Sequence, residues 1–165
     1  MLSLLRRHKV LATFVVLAIL AAGWYLFRPE KLFINQRVNE AAPFRADSAA
    51  QPIFTGTFTG KLHDTTGRAT VYRETDGTLM LRLTNFRTSN GPDVHVVLAS
   101  PNDPSLKSGT PGKPLDAMEV GALKGNEGDQ AYKLPSKVDL VHYSTVAIYC
   151  QQFRAVFGTA SLEAF

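Results

Sequence analysis

The first long feature of the chain is an apolar run. From Val10 to Phe27 no side chain is charged, and at about 1.5 Å of rise per residue a helix over that stretch is roughly 27 Å long, close to the hydrocarbon thickness of a bilayer. Arg6, Arg7 and Lys9 come before it, and Trp24 and Tyr25 lie near its far end, where amphipathic rings settle at the headgroup level. The pattern predicts a transmembrane anchor over residues 10–27, with residues 1–9 as a short cytoplasmic tail and the rest of the chain extracytoplasmic. Arg28, Lys31 and Arg37 follow the run and work against that orientation. A cleaved signal peptide is the alternative, since Ala21, Ala22 and Gly23 offer a cleavage site. The apolar continuation through Trp24, Tyr25, Leu26 and Phe27 favours the uncleaved anchor, and either reading exports the domain.

Beyond the anchor the periodicity changes. Residues 28–52 contain Pro29, Pro43 and Pro52 among alanines and show no sustained alternation, which predicts a stalk with at most a short helical turn. Residues 53–165 read as strands. In Thr78–Thr84, Leu79, Leu81 and Leu83 alternate with Met80, Arg82 and Thr84, the pattern of a strand with one buried face. Ile53–Lys61 reads as one strand, with Phe54 and Phe58 on the face of Gly56 and Gly60. Val94–Ser100 and Thr145–Gln151 follow the same rule, the latter placing Val146, Ile148 and Cys150 together. Arg154–Phe165 reads as a last strand or pair bent at Gly158, with Phe153 and Phe157 as core. Turn signals separate these runs at Thr65-Thr66-Gly67, Asp76-Gly77 and Ser89-Asn90-Gly91-Pro92, and a Pro- and Gly-rich segment spans Pro101–Pro114. The expected fold is all-β, a small antiparallel β-sandwich or barrel-like domain preceded by one transmembrane helix.

Charge narrows the partners. The formal net charge is +4, but Arg6, Arg7, Lys9, Arg28 and Lys31 against Glu30 account for all of it, and the exported domain is formally neutral. No basic stripe is left to follow a phosphate backbone, so nucleic acid is not an expected partner; membrane lipid, through the N-terminal helix, is. One cysteine, Cys150, is the whole thiol inventory, which excludes an internal disulfide. The motifs of nucleophile-elbow hydrolases, zinc peptidases, P-loops and EF-hands are absent. The carboxylates Asp64, Asp76, Asp93, Glu119, Glu127 and Asp129 fall in or beside turns, as a solvated surface does. Asn90-Gly91 tolerates positive φ, Pro92 stiffens the entry to a strand, and Asp93 is placed to bond nearby amides.

The stretch Val146-Ala147-Ile148-Tyr149-Cys150-Gln151-Gln152-Phe153-Arg154-Ala155-Val156-Phe157-Gly158-Thr159-Ala160-Ser161-Leu162 is the most distinctive. It resembles the C-terminal signature of the DM-thirteen domain, a family described as an electron-transfer domain, in which a hydrophobic strand ends at a cysteine and F-x-x-x-F-G-x-A-x-L follows. Phe54-Thr55-Gly56-Thr57-Phe58, Leu81-Arg82-Leu83-Thr84-Asn85-Phe86, Gly91-Pro92-Asp93-Val94-His95-Val96-Val97-Leu98, Leu123-Lys124-Gly125, Gly128-Asp129-Gln130-Ala131-Tyr132-Lys133-Leu134-Pro135 and Tyr143 agree in order, so the resemblance covers Ile53 to Phe165. Tyr149 stands where many members are expected to have tryptophan.

The resemblance implies redox chemistry through Cys150, as a thiol or as a ligand to a haem or metal, with a redox partner protein. A thiolate can be oxidised, form a mixed disulfide or bind a soft metal. Tyr149, Arg154 and His95 are the candidates to assist it or hold a cofactor. His63, His95 and His142, with Met80 and Met118, are the remaining metal donors of the domain. A blue-copper site would place His and a weak axial ligand soon after the cysteine, and Gln151 to Leu162 has neither. The competing reading makes Cys150 a small buried hydrophobe on the face of Val146 and Ile148. The chain is then a cell-surface adhesion or ligand-binding module working through loops such as Pro101–Pro114. A stand-alone enzyme is not expected, although a redox accessory is, and a hydrolase is disfavoured for want of a nucleophile paired with a base.

Overall fold

The computed structural model describes residues 2–27, 34–41, 50–108 and 114–165. Helix α1 (Leu2–Phe27) starts earlier than the apolar run, and its His8–Tyr25 window is long and apolar enough to cross a membrane or to act as a signal sequence. The domain is built from β1 (Gln51–Thr57), β2 (Thr59–Gly60), β3 (Thr66–Arg73), β4 (Leu79–Arg87), β5 (Val94–Ala99), α2 (Pro104–Ser108), β6 (Ala117–Ala122), β7 (Gln130–Lys133), β8 (Thr145–Cys150), β9 (Ala155–Ser161) and β10 (Glu163–Ala164). They form two antiparallel five-stranded sheets, ordered β10-β1-β3-β4-β7 and β2-β9-β8-β5-β6. The fold is therefore the sandwich of the two expected alternatives, and no closed barrel forms among the described residues.

Two predicted strands cross from one sheet to the other. The run expected as one strand over Ile53–Lys61 breaks at Phe58, with β1 in the first sheet and β2 in the second. Phe58 is buried there and meets the edge of Phe86 at 5.3 Å between ring centroids. The C-terminal pair changes sheet at the buried Leu162, so that β9 lies on β8 and β10 on β1. Such corners let two short sheets share one core without long connections.

The core lies between the sheets and includes Phe58, Val71, Leu81, Leu83, Phe86, Val96, Leu98, Val146, Ile148, Cys150 and Phe157. A smaller cluster of Val97, Ala99, Leu106, Ala147 and Val156 covers the outer face of the second sheet. Leu106 comes from α2, so the Pro101–Pro114 segment supplies a lid for that face through its described part. This double burial explains why β8 is apolar at almost every position and not only at alternate ones.

Pairing shifts between Ile148 and Tyr149, whose partners are Gly158 and Val156, and this bulge is the bend expected at Gly158. Gly158 has no room for a side chain, because a Cβ there would overlap the side chain of buried Thr65. Thr65 is held in turn by a 2.9 Å hydroxyl contact with Thr88. Gly158→Ala is expected to destabilise the domain by about 1–3 kcal/mol, the range for overpacking a filled core. Urea denaturation checks this, and an unchanged midpoint would show that Thr65 yields freely.

Residues 34–40 fall within the stretch read as a stalk, yet they lie along the domain. Val38 donates its amide to the Glu127 carbonyl at 2.9 Å, Glu40 to the Asp129 carbonyl at 2.9 Å, and Glu127 to the Gln36 carbonyl at 3.3 Å. The segment also covers the outward face of β4, where the Arg82 guanidinium reaches the Glu40 carbonyl and the Asp129 carboxylate. That cover accounts for the burial of Arg82 on what alternation predicts to be an open face.

Candidate functional site

Cys150 is the last residue of β8 and is followed by an exposed turn, Gln151–Arg154, closed by the Arg154 amide on the Gln151 carbonyl at 3.3 Å. Arg154 adopts φ of +50°, which lets β9 start directly opposite, with Ala155 beside Cys150. The turn belongs to one end of the sandwich. The antiparallel registers bring to the same end the loops 61–65, 88–93 and 123–129 and the start of the docked segment at Ile34.

The thiol is sealed. Cys150 has 0% exposure and points into the core with Val146, Ile148, Ala155 and Phe157. Its partner across β5 is Val94. Val94 also lines a cavity of about 490 Å³ at this end, together with Asn35, Asn90, Gly91, His95 and Asn126. One wall residue of an open pocket is thus the direct neighbour of the cysteine. Gly91 is needed here for space more than for positive φ, since a Cβ would run into Val94 and Phe157.

The other candidates stand on the opposite face of the sheet. His95 pairs with Tyr149 in the β5–β8 register, one position from Cys150, so both rings project outward. His95 is held at both nitrogens, Nδ1 to Glu119 Oε1 at 2.8 Å and Nε2 to Asp93 Oδ1 at 2.9 Å. Gln151 completes the group: its side-chain amide donates to Glu119 at 3.0 Å and its backbone amide to the Asp93 carbonyl at 2.9 Å. Asp93 and Glu119, read as solvated surface, therefore fix the histidine and the turn after Cys150. Burial pushes the Tyr149 hydroxyl up from its ordinary range, and the guanidinium of Arg154 opposes that shift. The structure brings His95 and Tyr149 together, with Arg154 close to Tyr149, and keeps them apart from Cys150.

A metal held by protein side chains does not fit this arrangement. No group of three His, Cys, Asp or Glu suited to a metal occurs among the described residues. Met118 pairs with Leu98 and Met80 with Lys133, far along the strands from Cys150. A haem in the pocket finds His95 as its only lining imidazole, and both nitrogens of that ring already face carboxylates.

Several residues that build this end were missed in the sequence because their partners lie in the supposed stalk. Asn126, buried, receives the Gln36 amide on its carbonyl oxygen at 2.7 Å and donates to Asn35 at 3.0 Å and to the Thr88 carbonyl at 3.1 Å. Glu40 accepts from Lys124 Nζ at 2.7 and 2.9 Å and from the Ala131 amide at 2.8 Å.

The bond from Lys124 holds the Glu40 carboxyl below its ordinary value of 4.5. A carboxyl depressed in the folded state contributes stability that is complete above the unfolded value and is lost as pH falls through the folded one. Docking of residues 34–40 is therefore expected to be intact at neutral pH and to weaken as the pH drops below 4.5. Amide exchange at Val38 and Ala131 checks this, with protection lost in acid in the wild type and already reduced at neutral pH in Glu40→Gln.

No curated protein and no solved structure matches the chain. Residues 57–162 match the family model described as electron transfer DM13. Every strand from β2 to β9, Cys150 and its turn lie inside that match, and the chain belongs to the DM13 electron-transfer family.

Proposed function

We propose that this protein is a membrane-tethered, extracytoplasmic electron-transfer module whose redox group is the Cys150 thiol, sealed at rest and reached when the Gln151–Arg154 turn opens. The observation that carries the reading is the position of Cys150 at a strand end, one residue from an exposed turn and directly beside a pocket-wall residue. The family supports the electron-transfer class, and the sulfur is the group of this end that can itself be oxidised. The chemistry available to one thiol is exchange: the Cys150 thiolate attacks a disulfide of a partner protein, a mixed disulfide forms, and the second partner sulfur leaves as a thiolate.

Incubation of the full chain with glutathione disulfide under native conditions tests this. The expected result is one glutathione on Cys150, released by a reductant, and none on Cys150→Ser. Absence of any adduct on the folded protein would overturn the thiol mechanism.

A second reading is favoured by the 0% exposure of Cys150. Under it the domain is a cell-surface binding module, the sulfur is packing, and the pocket lined by Asn35, Asn90 and Asn126 takes the ligand.

A further inference from the structure

Among the described residues of the domain, exposed large apolar side chains are few and lie mainly at its two ends. At the end that carries the Cys150 turn are Ile34 (63% exposed), Leu62 (45%) and Phe153 (57%). Phe153, expected in the core, instead stands at the tip of the turn, because the four residues between Cys150 and Ala155 lie outside both sheets. Leu62 is held at the same end by its amide on the Val156 carbonyl at 3.4 Å, and the adjacent His63 ring lies tilted against Phe157 with centroids 3.9 Å apart. Lys61 and Arg154 flank these apolar residues in the chain, and both are exposed. At the opposite end Val141 and Phe165 are also exposed, so exposure alone does not choose between the ends.

The tether does choose. Ile34 is fixed to this end by the Asn90 side chain, which donates to its carbonyl at 3.1 Å. Helix α1 ends at Phe27, and the intervening chain, fully extended, reaches at most roughly 25 Å. Strand β4 alone has nine residues, about 27 Å between its end Cα atoms, and the loops at the far end lie beyond it. If Phe27 leaves the membrane surface, a tether of this length favours the near end of the sandwich as the one that meets the lipid.

We infer that the Cys150 end of the domain rests on the membrane, with Phe153, Leu62 and Ile34 dipping into the interfacial layer and Lys61 and Arg154 facing lipid headgroups. This rests on the reading of α1 as an anchor. Apolar side chains flanked by basic ones suit an interface with anionic lipid. The consequence for the site is directional: a partner reaches the Cys150 turn along the membrane plane, and lifting the domain off the lipid uncovers it.

The test uses the full chain in liposomes of phosphatidylcholine and phosphatidylglycerol containing nitroxide-labelled lipid. In a Cys150→Ala background, single cysteines at Phe153, Leu62, Val141 and Leu17 carry an environment-sensitive fluorophore. The expected result is strong quenching at 17, and quenching at 153 and 62 severalfold above that at 141. Quenching at 17 with 153 and 62 no different from 141 leaves the anchor in place and overturns the membrane-resting orientation. No quenching at 17 removes the anchor reading itself, and the orientation with it.

Discussion

Replacing Gly128 with alanine is expected to destabilise the domain by about 2–5 kcal/mol, the sum of a left-handed backbone penalty and a steric overlap with no escape. Gly128 has φ of +97°, and a Cβ at that position would fall on the backbone carbonyl of Val38 and against the Asn39 side chain. The neighbouring bonds from Val38 to Glu127 and from Glu40 to Asp129 close around it, and the Gly128 amide is itself held by the Phe86 carbonyl at 2.7 Å. Backbone cannot rotate aside as a side chain can, so residues 34–40 must detach. Gly77 supplies the control: its φ is +83° but nothing lies near a Cβ there. Gly77→Ala should therefore cost only the conformational part, about 1–2 kcal/mol. Urea midpoints of the two variants check the difference, and amide exchange at Val38 should rise only in Gly128→Ala. Equal, small effects would mean that residues 34–40 do not approach Gly128 as described.

Alkylation of Cys150 in the folded protein is expected to run at least about 10³-fold slower than in the urea-unfolded chain, since an opening free energy near 4 kcal/mol gives that factor. The reason is geometric. The sulfur is enclosed by Val94 on one side, Ala155 on the other and the opposing sheet in front. Small iodoacetamide added to native protein, followed by mass spectrometry over time, reads this directly. A native rate close to the unfolded one would place the thiol at the surface and contradict the packing of the second sheet.

The architecture was legible where the apolar pattern is strong. The alternation of Leu79, Leu81 and Leu83 locates β4 through its core face, and the nearly unbroken apolar run before Cys150 locates β8, which is covered on both faces. Strand β3 was hidden: Thr66 to Arg73 places Ala69 and Val71 inward between polar residues, and its first two residues, Thr66 and Gly67, belong to the Thr-Thr-Gly that reads as a turn. Strands β6 and β7 are short and carry glycine or glutamine where apolar residues are expected; Gln130, with 0% exposure, is satisfied by Gly125 and Tyr132. The docking of residues 34–40 left no periodic trace, since it is made by backbone bonds and by Asn, Gln and Glu side chains whose partners lie some ninety positions away in sequence.

The candidate site was legible in part. Strand alternation alone puts Cys150 and His95 on opposite faces once the register His95–Tyr149 is known, but register between strands is set by the turn and the bulge, which a single sequence does not reveal. Phe153 was misplaced for the same reason: it follows the last strand residue, and the turn carries it outward. The periodicity of β8 put the cysteine on the core face with Val146 and Ile148, while a role beyond packing was suggested by the family signature alone.

The denaturant dependence of Cys150 alkylation in the native range measures the central claim. If the thiol works by local opening of the Gln151–Arg154 turn, the rate at low urea will be almost independent of urea, because little surface is exposed, and will merge with the global unfolding limb only near the transition. A rate that follows the full unfolding slope from the first addition of urea would mean that the sulfur is reached only when the whole sandwich comes apart, and electron transfer through Cys150 would be contradicted.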